Sequence, residues 1–184
     1  MESTTQFYLE LTLENGNPVA GETSAGGYEN RIDIDGFQFA ASADKQALKD
    51  LEKGDVVSNL DCDRVTISKV FDRSSLLLAG VLSRHERFLE AKIAVDQQFI
   101  DPDWVGKERN EILIILLKSG YIADIKLRTS EGNVGASIKE DITLSFHDCV
   151  IHYWAEDRAN AGKLGDDYRW DISTFQTDRG KEQG

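Results

Sequence analysis

The sequence predicts a mainly β fold: a β-barrel, or a sandwich, of two packed antiparallel sheets that carries one short α-helix. Three observations lead there. Apolar and polar residues alternate through most of the chain, as in "FYLELTL" and "DRVTISKVF", which is the period of half-buried strands. Turn signals such as Asn15-Gly16 and Ser119-Gly120 break these runs at short spacing. Only one stretch has the helical period: in "FDRSSLLLAGVLSRHERF" the residues Leu77, Leu78, Val81, Leu82 and Phe88 fall on one face. A length of 184 residues suits a single domain, expected over 1–176 and followed by a frayed tail, 177–184.

Taken in order, "FYLELTLENG" is a strand with Phe7, Leu9, Leu11 and Leu13 on one face and Tyr8, Glu10 and Thr12 on the other. "NPVAGETSAGGYENR" is loop. In "RIDIDGFQFAAS" the isoleucines and the phenylalanines have opposite parity, so one extra residue at Asp35-Gly36 must form a bulge or bend. Residues 43–55, "ADKQALKDLEKGD", are charged and lack an apolar stripe, which suits a long excursion with some helical content. "DRVTISKVF" is a strand. The helix follows, capped by Asp72 or Ser74. Gly80 in its middle costs about 1 kcal/mol against Ala, so packing must hold the helix, and His85 continues its stripe. "FLEAKIAVDQQF" is a strand. "NEILIILLKSGYIADIKLRTS" reads as two strands turning at Ser119-Gly120, and "SIKEDITLSFHDCVIHYWAED" as one. "RANAGKLGDD" is a turn before a short last strand, "YRWDIS".

Charge narrows the function classes. The formal net charge is −12, which repels phosphate backbones and anionic membranes and attracts a basic protein surface. Neither nucleic-acid binding nor membrane insertion is expected. The most apolar run, "ILIILL" at 112–117, is too short to span a bilayer. The N-terminal residues carry no basic-then-apolar pattern, so no signal peptide is expected. With two cysteines, Cys62 and Cys149, the chain suits a cytosolic protein with reduced thiols.

No catalytic, metal or cofactor pattern stands out. His147 and His152 fall on opposite faces of an unbroken strand and do not share a metal. "RIDIDG" (Asp33, Asp35) and "NLDCDR" (Asn59, Asp61, Asp63) imitate calcium loops, but each lacks the closing carboxylate, with Ser42 and Val70 in its place. His147 and Cys149 would share a strand face, but Asp148, the candidate orienting group, points away. No phosphate loop and no Gly-x-Ser-x-Gly elbow is present.

Several segments, in order along the chain, resemble the haemolysin-coregulated protein (Hcp) family, the tube subunits of type VI secretion. Arg73-Ser74-Ser75 opens a helix as the family's Lys/Arg-Ser/Thr-x-x-Leu does, His85 closes it, and Ala91-Lys92-Ile93 enters the following strand. "ITLSFHDCVIHYW" is similar to the family's late "VTLNF" strand, "YRWDIS" to its closing "YGWNI", and "FYLELT" with Gly21-Glu22 to its opening. Two segments depart: "FQFAAS" stands where the family has a Trp-Gly pair, and "ADKQALKDLEKGD" where it often has a Gly-rich loop.

The resemblance implies a non-enzymatic structural protein without a cofactor. It would be a homo-oligomer, a hexameric ring stacked into a hollow tube, made in the bacterial cytoplasm and expelled by contractile injection. Its partners would be sheath proteins, baseplate or spike proteins and effector cargo. Lys45, Lys49, Asp50 and Lys53 are the expected ring-stacking loop. Glu10, Asp33, Asp61 and Asp63 are the expected acidic contacts on the outer wall, facing a basic sheath lining. The rival readings are a phage-type tail tube protein, a ring-forming or adaptor β-barrel outside secretion, and a small hydrolase on a β scaffold.

Overall fold

The computed structural model describes residues 3–23, 29–43, 60–99, 111–132, 135–156 and 164–173. Its elements are β1 (Ser3–Leu13), β2 (Ile32–Ile34), β3 (Gly36–Phe39), β4 (Ser42–Ala43), β5 (Leu60–Asp61), β6 (Arg64–Val70), α1 (Arg73–Ser83), β7 (Arg87–Phe99), β8 (Glu111–Gly132), β9 (Gly135–Ser145), β10 (Asp148–Glu156) and β11 (Leu164–Ser173). Nine strands form one antiparallel sheet, and β4 and β5 pair separately. The excursion at 44–55 and the tail 177–184 lie outside the described residues.

The sheet folds into two layers at two bends. One layer runs β2-β1-β7-β8-β10-β11 and the other β8-β9-β6-β3. The first bend lies between β2 and β3, where the parity flip at Asp35 passes the chain from β1 to β6 and the Asp35 amide donates to the Ser68 carbonyl at 2.7 Å. The second lies in β8, which is one bent strand and not the two strands that Ser119-Gly120 suggested. Ser119 adopts a left-handed φ of 53°. At Gly120 a Cβ would stand 2.0 Å from the Ser145 carbonyl oxygen and 2.3 Å from the Phe88 ring, so only glycine lets the strands cross this closely. Opposite the bend, the expected single strand breaks at Phe146 and His147 into β9 and β10. The Phe146 amide then donates to Asp63 and that of His147 to Lys118. β11 begins at Leu164, earlier than the turn assigned to "RANAGKLGDD" allowed.

Antiparallel register turns the alternating residues into rows across each layer. In the first layer, Leu9, Ile93, Ile115, Ile151 and Trp170 form one row, and Leu11, Ala91, Leu117, Cys149 and Ile172 the next. In the second layer, Val65, Leu144 and Ile122 form one row and Ile67, Ile142 and Ile125 another. Apart from the half-exposed Trp170, these rows face each other as the core. Each fully buried Leu or Ile contributes about 1.5–3 kcal/mol of hydrophobic stabilisation.

Helix α1 fills the space between the layers with Leu78 and Val81, both buried, and with Leu82, packed against the core. Two expectations change. Leu77 is 44% exposed, so the buried stripe is narrower than the spacing suggested. Phe88 is buried but belongs to β7. The helix ends before it, in a Schellman motif: the Glu86 amide donates to the Val81 carbonyl, the His85 amide to that of Leu82, and His85 itself takes φ 52°. His85 is therefore an exposed C-terminal cap and not part of the stripe.

Candidate functional site: a buried anchor and two exposed faces

Alternation in β6 places Lys69 on the same side as Val65 and Ile67, and alternation in β9 does the same for Glu140 beside Ile142 and Leu144. The two are register partners. Their side chains are fully buried, Lys69 at 0% and Glu140 at 1% exposure, with Nζ 3.0 Å from Oε1. The Lys69 ammonium also donates to the Asp72 carboxylate at 2.7 Å, the Val70 carbonyl at 2.7 Å and the Ser75 hydroxyl at 3.1 Å. The Ser75 hydroxyl donates to Glu140 at 2.6 Å and accepts from the Asp72 amide at 3.0 Å. Asp72 is the N-cap of α1, accepting from the Ser75 amide in a capping box. Buried charges persist only when paired and hydrogen-bonded, and here the partners come from the helix start. Burial alone would push the Asp72 carboxyl up. The hydrogen bonds from Lys69 and Ser74 and the Lys69 charge outweigh it and hold the group below its ordinary value. This cluster is a structural anchor, not a reaction centre. Sequence reasoning missed it, although two charged residues at core parity were its signal.

The expected outer-wall acids sit in different settings. Glu10 lies in an ion cluster on the outer side of the first layer, paired with Arg31 and 3.8 Å from Lys92. Glu111 completes that cluster, 3.3 Å from Arg31 and 2.9 Å from Lys92. Asp33 is exposed and accepts from the Thr23 hydroxyl at 2.6 Å. Asp63 is exposed, 3.8 Å from Arg64. Asp61 lies in β5, and its side chain is outside the described set. The ring-stacking candidates Lys45, Lys49, Asp50 and Lys53 fall outside the described residues.

The polar groups considered for chemistry do not converge. Asp35 pairs with Lys139 at 3.0 Å while Asp33 bonds Thr23, and among the described residues no three His, Cys, Asp or Glu side chains group around a common point. His147 sits in the strand break and not on a face shared with Cys149; His152 stacks on Trp154 at 5.4 Å. Cys62 and Cys149 are free thiols, both buried. Burial, with a smaller contribution from Cys62, pushes the Cys149 thiol up to about 12, so it carries no nucleophilic thiolate at neutral pH.

Two faces remain open where the rows run past the barrel. In the second layer, Leu127, which continues the Lys69–Glu140 row, and Ile138, one row further, stand 61% and 54% exposed on the β8–β9 arm. In the first layer, Tyr153 and Tyr168 pair across β10 and β11 with ring centroids 6.4 Å apart, and Trp170 meets Phe39 at 6.3 Å. All three are about half exposed.

The described residues thus form a two-layer antiparallel barrel with one helix packed between its layers and two exposed apolar faces. The sequence model of the family described as "Type VI secretion system effector, Hcp" matches residues 8–153, and the chain belongs to the Hcp family. Solved structures share the fold. One is described as a type six secretion system protein (16% identity, 92% of this chain and 96% of that one covered, TM-score 0.70). Another is Hcp1 from Salmonella typhimurium (15%, 92% and 95%, 0.61), and a third is the secreted protein Hcp3 from Pseudomonas aeruginosa (19%, 91% and 98%, 0.58). Comparison with curated proteins finds no match.

Proposed function

We propose that this chain is a structural subunit of the type VI secretion inner tube, forming hexameric rings that stack into a hollow conduit and carry effectors. The observation that carries the reading is the family match across 8–153, which includes both bends of the sheet and the helix between them. The role is mechanical and not catalytic. The protein works as an oligomer within a contractile sheath, on a baseplate or spike, and leaves the cytoplasm with that apparatus. Within this reading, Lys45, Lys49, Asp50 and Lys53 contact the next ring. Asp33, Asp61 and Asp63 face a basic sheath lining, while Glu10, held by Arg31 and Lys92, offers less free charge. Light scattering at micromolar concentration, with negative-stain imaging, tests the reading. A mass near six protomers and rings with an open centre are expected; a strict monomer at all concentrations refutes it.

A further inference from the structure

Cys62 and Cys149 are the two cysteines of the chain, and folding brings both to the seam between the layers. Cys62 lies between β5 and β6, one residue before Asp63. The Asp63 carbonyl accepts the Phe146 amide at 3.2 Å, and the adjoining register pair is Arg64 with Ser145. After Phe146 the chain bends, the His147 amide donates to the Lys118 carbonyl, and β10 enters the other layer. Cys149 is the first buried residue of β10, in the row of Leu117 and Ile172. One cysteine therefore stands one residue, and the other three residues, from the same hydrogen bond across the seam. Both side chains are buried in one packed cluster, Cys62 at 3% and Cys149 at 0% exposure. They lie within electrostatic range of each other, since Cys62 adds to the upward shift that burial gives the Cys149 thiol. Among the described residues no third His, Cys, Asp or Glu joins them, so the pair offers two sulfurs and not a metal-ligand set.

We propose that Cys62 and Cys149 form a disulfide once the chain has left the cytoplasm, a bond that pins the β5–β6 junction of one layer to the start of β10 in the other. The timing rests on the secretion reading; the bond itself does not. A reducing cytosol keeps both residues as thiols, and an oxidising compartment supplies the small or protein disulfides that drive exchange. Cys62 meets the oxidant first. It adjoins β5, which is two residues long and, among the described residues, pairs only with β4, whereas Cys149 lies under the rows of the first layer. The Cys62 thiolate attacks one sulfur of the incoming disulfide, and the first thiolate leaves. Cys149 then gives its proton to solvent and attacks the Cys62 sulfur, and the second thiolate leaves. The two protein thiols are oxidised by two electrons, and the incoming disulfide is reduced to two thiols. Cys149 ionises only at about 12, so closure is slow at neutral pH and faster in mild alkali. The bond encloses residues 62–149, which hold β6 to β9 and the helix. Closing so long a loop restricts the unfolded chain, so a subunit folded with thiols becomes harder to unfold after export.

Thiol counting on the full chain tests the proposal. The protein is folded in reductant, freed of it, and held with oxidised glutathione at a pH of about 8.5, near the ordinary thiol value. Denaturation, alkylation and mass spectrometry then count the remaining thiols. Two alkylated cysteines before oxidation and none after are expected, with a peptide cross-link between Cys62 and Cys149. At one fixed protomer concentration Tm should rise, by up to about 18 °C for a loop of this length, and dithiothreitol should reverse both changes. Cys62→Ala should abolish the cross-link and the rise in Tm. The count on the unsubstituted chain needs no variant, so it stands even where a substitution prevents folding. Two alkylated cysteines after oxidation would show that the seam holds the Cα atoms beyond the roughly 7 Å that a disulfide allows, and the proposal falls. It falls equally on a glutathione adduct that never resolves, on cross-links between copies in place of the internal bond, or on a bond that leaves Tm unchanged. Light scattering on the same samples keeps the two readings apart: a monomer that closes the bond refutes the tube and not the disulfide, and a hexamer that never closes it does the reverse.

Discussion

Replacing Lys69 by Met removes the cation that pairs with Glu140 in the core. Charges 3.0 Å apart attract by about 5 kcal/mol at an effective dielectric near 20, and burying the two ions costs several kcal/mol each. The pair therefore contributes little net stability, but breaking it is expensive. In Lys69→Met the Glu140 carboxylate, 1% exposed, keeps among the described residues only the Ser75 hydroxyl as a side-chain donor. The expected loss is about 3–5 kcal/mol, which for a chain of this size lowers Tm by about 6–20 °C. Lys69→Met/Glu140→Leu removes both charges, and Asp72, partly open to water, is solvated instead of stranded. The double variant is expected to recover at least ~2 kcal/mol of the single variant's loss. Urea unfolding at one fixed protomer concentration, needed because assembly stabilises by mass action, reads both quantities. A single variant that loses less than ~1 kcal/mol, or a double variant no more stable than the single, would show that the cluster is hydrated or the register wrong.

Three further outcomes follow from the helix and its cap. Leu78→Ala should cost about 2–5 kcal/mol and Leu77→Ala less than about 0.5 kcal/mol, because the first is fully buried and the second 44% exposed; equal losses in denaturant melts would misplace the helix. His85→Gly relieves the left-handed φ of 52° at the helix cap and should stabilise by about 0.5–1 kcal/mol, read as a rise in Tm. Asp72 is held below its ordinary carboxyl value of 3.8. Its stabilising contribution is then complete above that value and is lost as pH falls from it toward the folded value. Asp72→Asn should flatten this acid limb in a pH series of urea midpoints; an unchanged slope below pH 4 would assign the limb to other carboxylates.

Local alternation was enough to read most strands, because a half-buried strand writes its period into neighbouring residues. The parity flip between Ile34 and Phe37 even marked the place where the chain changes layers. Non-local features were harder. Ser119-Gly120 carries the same residue types whether a chain reverses or only bends. What decides is the close approach of Ser145 and Phe88 to Gly120, brought there from distant segments. The break at Phe146 and His147 is invisible locally for the same reason: it follows from the bend in β8 across from it. The narrower helix stripe reflects docking between two layers that leave only Leu78 and Val81 fully covered. Lys69 and Glu140 each sat at core parity in plain view, but neither makes sense without the 69–140 register, which links residues far apart in sequence.

That register also explains why the helix needs a charged anchor. In the second layer the Val65 and Ile67 rows are apolar and closed; the Lys69 row is ionic, and the row after it, with Ile138, is open to solvent. The core therefore ends at Lys69, where α1 starts. Apolar contact through Leu78 and Val81 is non-directional and would tolerate a small rotation or slide of an eleven-residue helix with Gly80 in its middle. Lys69 and Glu140 do not tolerate it, because beyond their own pairing and the Val70 carbonyl their side-chain hydrogen bonds come from Asp72 and Ser75, the residues that cap the first turn. Displacing the helix by one residue takes the Asp72 and Ser75 hydrogen bonds from the buried Lys69–Glu140 pair at once. The ionic row thus exchanges little net stability for one fixed helix position. Leu127 continues that row on β8 and Ile138 lies one row beyond it, so the same four side chains that fix the helix also set the floor on which the arm's exposed face stands.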